Sequence, residues 1–98
     1  MLWVISCVDK PNSAALRAEH QKAHSAYLKI HDDIIFLTGP KLSDDGTTNI
    51  GSLFIINVNS REEAAAFSAG EDFTKAGVYS SVTITRMRKG HMHPERAD

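Results

Sequence analysis

Between Asn12 and Ile30 the chain runs without a glycine or a proline and is rich in Ala, Leu, Lys, Glu and Gln. Such a run forms a helix, and Asn12 or Ser13 supplies the short polar side chain that caps one. At about 100° per residue Leu16, Ala23, Tyr27 and Ile30 share one narrow stripe, the face expected to press onto a sheet. Arg17, His20 and His24 project along a border of that stripe, where an imidazole can be held by packing and still reach a ligand.

The flanking segments read as strands. Leu2 to Val8 is a buried first strand with Trp3, Ile5, Cys7 and Asp9 on one face, so Asp9 stands at its end, just before the helix. Ile34 to Thr38 is a short second strand that Gly39-Pro40 is expected to stop, and Lys41 to Gly51 reads as a mobile polar loop. Ser52 to Asn59 makes a third strand. Ser60 with Glu63 three residues later is a capping box that opens a second helix, ended by Gly70. Residues 71–77 form a turn or short extra helix, and Val78 to Met87 is the last strand. From Arg88 onward the pattern predicts a flexible tail.

The order βαββαβ predicts an α+β, ferredoxin-like domain: an antiparallel four-stranded sheet with two helices on one face. Its other face keeps large apolar groups, and pairing two such faces predicts a homodimer of the α+β barrel kind, a small monomer with an exposed patch being the alternative. The 98 residues make one domain, and a net charge of −1 gives no field for nucleic acid or an anionic membrane. Cys7 has no second cysteine to bridge to, no stretch reaches transmembrane length, and the N-terminal run lacks a basic leader; a cytoplasmic protein is expected.

Along nearly its whole length the chain resembles the YciI-like proteins of the YCII superfamily. The resemblance rests on the opening strand ending in Asp9, on Arg17, His24 and Leu28 in the helix, and on Gly39-Pro40. Gly51-Ser52 at the third strand and Ala76-Gly77-Val78-Tyr79 entering the last one complete it. It implies a dimeric ferredoxin-like fold whose pocket uses a histidine and aspartate pair, which falls here on His24 and Asp9. It also implies the superfamily's dehydrochlorination of 5-chloro-2-hydroxyhydroquinone. Two positions depart from the family pattern: Glu71, Asp72 and Phe73 stand where Asp-Pro-Tyr or Asp-Pro-Phe is common, and Gln21 replaces a second helix arginine.

The expected chemistry follows from residue types. A carboxylate that accepts from one imidazole nitrogen leaves the other as a base for an acidic hydroxyl proton. Arg17 is placed on an anionic substrate group, Trp3 and Phe73 on an aromatic ring, and Gly39 and Pro40 beside them. His20 and His24 are spaced i, i+4, but with no H-E-x-x-H motif no metal site is expected. No phosphate loop, nucleotide fingerprint or serine elbow is present, so the expected reaction needs no cofactor. A small aromatic substrate is the expected ligand. A non-catalytic module binding a metabolite or protein, and a ring-product isomerase, are the alternatives.

Overall fold

The computed structural model describes residues 1–97; Asp98, the last residue of the expected tail, lies outside them. Strand β1 (Leu2–Asp9) leads into helix α1 (Ala14–Ile30), and β2 (Ile35–Leu42) and β3 (Asn49–Asn57) form a hairpin. Helix α2 (Arg61–Gly70) and the single turn α3 (Asp72–Lys75) follow, and β4 (Tyr79–Met87) closes the sheet. The sheet order is β2-β3-β1-β4, with every neighbouring pair antiparallel. That is the ferredoxin-like order. The expected α+β barrel is a correction: the four strands make an open sheet with β2 and β4 as its edges, not a closed wall.

Trp3, Ile5 and Cys7 of β1 face the helices opposite Ile56, Phe54 and Ser52 of β3. All of these but Ser52 form the core with Val58, Ala64, Phe67 and Phe73. Fully burying an apolar side chain of that size contributes roughly 1.5–3 kcal/mol, so this layer sets where the helices sit. The opposite face carries Val4 and Leu37 beside Ile55 and has no helix over it.

Two strand boundaries differ from expectation. Strand β2 continues through Gly39 and Pro40, which pair with Leu53 and Ser52. It can do so because β2 is an edge strand, where a residue without an N–H costs no interior ladder bond. The hairpin zips further on the other side too, β3 beginning at Asn49, so the polar loop is shorter than expected. At Gly51 a side chain would run into the Cys7 carbonyl oxygen, which explains the glycine there.

A register shift in the β1–β4 ladder pairs Val8 with Ser81 but Asp9 with Tyr79, skipping Ser80. Simple alternation would send Tyr79 to the helix-free face. The bulge turns it inward instead, so Val78 and Tyr79 are both buried. Ser60 Oγ accepts from Glu63 N and Glu63 Oε2 accepts from Asn59 N, which starts α2 as the capping pattern predicts. Gly77, at φ +79, supplies the left-handed residue between α3 and β4.

Candidate functional site

Helix α1 presents only half of the apolar stripe expected of it: Leu16 and Tyr27 pack against the core. Ala23 and Ile30 face out, Ile30 with 76% of its surface exposed, while Arg17 is buried and His20, His24, Tyr27 and Leu28 are half-buried. The inward line thus mixes apolar and polar side chains, and the polarity of Arg17 and His24 is met by partners on the strands and at the start of α3.

Arg17 meets the first of these. Its Nε donates to Asp9 Oδ2 at 2.7 Å and its Nη2 to Asp9 Oδ1 at 2.9 Å. Nη2 also donates to the Gly51 carbonyl at 2.8 Å and to Ser52 Oγ at 2.9 Å. Burial by itself would lower the pKa of the guanidinium, but the hydrogen bond and charge of Asp9 raise it, so the group stays charged. Ser52 Oγ also takes the Tyr79 hydroxyl at 2.8 Å.

His24 meets the second. Its Nδ1 donates to Glu71 Oε1, and its ring stacks on Phe73 with centroids 4.0 Å apart. Glu71 is fully buried. Its Oε1 accepts from Phe73 N at 3.0 Å, and its Oε2 from Thr74 N and Thr74 Oγ1. Burial would raise the carboxyl's pKa, yet the bonds from His24 and from these α3 groups bring it below its ordinary value. An ionised carboxylate can only accept. The hydrogen therefore sits on Nδ1, and Nε2 is the nitrogen left for whatever enters.

The expected Asp9–His24 hydrogen bond is thus corrected. His24 lies seven residues beyond Arg17, about 10 Å along the helix axis, and both Asp9 oxygens are already held by Arg17. Glu71 approaches His24 from the α2–α3 junction instead. In the sequence Glu71 stands out only as a departure from the family's Asp-Pro-Tyr or Asp-Pro-Phe, which assigns it no role. The available signal was positional, since Glu71 occupies the place of the family's acidic residue two before an aromatic one.

Arg17, His24, Gly39, Pro40, Ser52 and Phe73 line one cavity of about 300 Å³, at the low end of the range for small-molecule sites. Gln21 and Asn49 stand at the same wall. Of the residues expected at the site, Asp9 reaches the cavity only through Arg17. Trp3 does not line it but sits in the core, its buried indole nitrogen without a partner among the described residues. Neither does His20 line it. Cys7 is no nucleophile: burial, and then the Glu71 charge, push its thiol up to about 12. Among the described residues no helix is long and apolar enough to cross a membrane.

Known proteins share this arrangement of elements. Protein YciI of Escherichia coli O6:H1 and Protein YciI of Shigella flexneri are each 32% identical over 96 residues, spanning 91% of this chain and 98% of the relative. The 5-chloro-2-hydroxyhydroquinone dehydrochlorinase TftG of Burkholderia phenoliruptrix AC1100, solved in complex with 2,5-dihydroxybenzoquinone, superposes with a TM-score of 0.84. It is 32% identical in sequence, and the match covers 92% of this chain and 96% of TftG. The model of the YCII-related domain matches residues 1–88, a span that takes in every side chain placed in the cavity wall above, and the chain belongs to that family.

Proposed function

We propose that the protein is a cofactor-independent lyase of aromatic catabolism that removes HCl from a chlorinated hydroxyhydroquinone. The observation that carries this reading is the His24–Glu71 pair, which holds one imidazole nitrogen and leaves the other free on a cavity that Arg17 also lines. The likeness to TftG supports the substrate class.

His24 Nε2 takes the proton from the hydroxyl next to the chlorine-bearing carbon. The ring electrons then accept a proton at that carbon, returned by the imidazolium, and the hydroxyl carbon becomes a carbonyl. Next the hydroxyl para to that carbonyl gives up its proton, its electrons move through the ring, and chloride leaves with the C–Cl pair. The organic molecule loses one net proton and one chloride and ends as a hydroxyquinone. The ring is oxidised as the carbon–chlorine bond is reduced, so no external oxidant is consumed. Glu71 stabilises the imidazolium at each protonation and fixes its orientation. Arg17 Nη1, which makes none of the guanidinium's hydrogen bonds to Asp9, Gly51 or Ser52, is placed for a ring oxygen.

The test is release of chloride and appearance of quinone absorbance from 5-chloro-2-hydroxyhydroquinone. His24→Ala should fold, since Ala favours a helix, and should turn over roughly 10²–10⁴-fold more slowly. Native-rate turnover by that variant, or no chloride release by the native protein, sinks the reading. The working unit in this reading is a homodimer joined through the helix-free sheet face, where Leu37 is 52% exposed beside Ile55. Sedimentation at micromolar concentration should give twice the chain mass; a single-chain mass removes the dimer.

A further inference from the structure

Ser52 lines the cavity where β3 passes under α1, and it is 4% exposed. A serine hydroxyl has two lone pairs and one hydrogen. Both lone pairs are taken, one by the Tyr79 hydroxyl at 2.8 Å and the other by Arg17 Nη2 at 2.9 Å. The hydrogen is left over, and no acceptor for it is found among the described residues.

Reversing the Tyr79–Ser52 bond moves the odd hydrogen without removing it. Tyr79 would then hold it inside the core, against Phe73 and away from the cavity wall. A buried donor without a partner is costly, so the arrangement in which Ser52 carries the free hydrogen at the cavity is preferred. Burial pushes the Tyr79 phenol well above its ordinary range, so it keeps the proton that it donates. The bulge that turns Tyr79 inward thus lets it fill one Ser52 lone pair from the core side.

We infer that Ser52 Oγ–H and Arg17 Nη1–H form a two-donor hook for one carbonyl or anionic oxygen of a planar ring ligand. The two donors are tied together by the Nη2–Oγ hydrogen bond, and Asp9 locks the guanidinium from its other edge. This deepens the proposed function and rests on it only for which oxygen is held. There the hook meets the oxygen that gains negative charge as a hydroxyl ionises, a group held better by donors fixed in advance than by water.

The test is binding, read separately from turnover. 2,5-Dihydroxybenzoquinone is titrated into the native protein by its visible absorbance, and its carbonyl stretch is followed by infrared difference spectroscopy. Native protein should shift that stretch to lower frequency. Ser52→Ala should weaken binding roughly tenfold or more and lose the native shift, as expected for one charge-assisted hydrogen bond. Tyr79→Phe leaves the Ser52 hydrogen in place, so it should keep the shift and bind within about threefold of native. Ser52→Cys, close in shape but a weak donor, carries the same test should the alanine variant not fold. The hook is overturned if the native protein does not bind the quinone or if both Ser52 variants bind like native. It is also overturned if they bind weakly with the native carbonyl shift intact, which is the result of a purely structural role. Ser52-dependent binding without chloride release would overturn the lyase and leave the hook. Native-rate chloride release with Ser52 variants of native affinity would do the reverse.

Discussion

Two carboxylates meet one face of α1 about two turns apart, and they are used differently. Asp9 grips Arg17 through both oxygens, and two further guanidinium contacts go to the Gly51 carbonyl and the Ser52 hydroxyl. That pair holds a charge that does not titrate near neutrality. Glu71 is saturated by backbone donors of α3 and spends one remaining site on His24. That pair holds an imidazole by one nitrogen at the cavity wall. In the proposed reaction one helix face would thus serve two roles, the arginine end supplying a fixed charge and the histidine end carrying the proton.

Breaking the fixed pair should have the larger effect on stability. Asp9→Ala leaves Arg17, 6% exposed, without its bidentate partner. Removing one member of a buried pair costs about 3–5 kcal/mol, so urea unfolding should shift strongly to lower midpoint. A loss under about 1 kcal/mol would mean that Gly51 and Ser52 hold Arg17 by themselves. Glu71→Gln tests the other side and should slow turnover about ten- to a hundredfold. An amide must either offer its N–H to His24, favouring the wrong tautomer, or point it at the Thr74 N–H. Unchanged turnover would reduce Glu71 to a cap for α3.

The acid limb sharpens the contrast by a smaller amount. Glu71 has a folded pKa below its ordinary value of 4.5, so it binds its proton less readily folded than unfolded. Its contribution is complete above about pH 4.5 and is lost as pH falls through the lowered folded value. Native protein should therefore lose stability below pH 4.5 more steeply than Glu71→Gln in urea titrations at successive pH values. Parallel curves would show that Glu71 does not carry the acid limb.

Much of this frame is legible in the residues. The alternation of Trp3, Ile5 and Cys7, the Ser60–Glu63 cap and the turn before Tyr79 follow local rules, and the structure keeps them. The failures share a cause. Of Leu16, Ala23, Tyr27 and Ile30, read as the core stripe because periodicity counts apolar residues, Ala23 and Ile30 face out, while Arg17 and His24 turn inward to partners from distant parts of the chain. Long-range pairing of polar groups leaves no period to read. The choice between Asp9 and Glu71 for His24 was decided by about two helical turns of axial distance, which sequence order does not display.

Pro40 carries one more consequence. It lies in β2, an outer strand of an open sheet, and it is also part of the cavity wall. A free edge is a template on which other extended chains can add, and a position that lacks an N–H interrupts the row of donors they would need. The residue that shapes the pocket thus also guards the sheet against growth by edge-to-edge aggregation, so replacing it to remodel ligand selectivity would expose the molecule to that hazard.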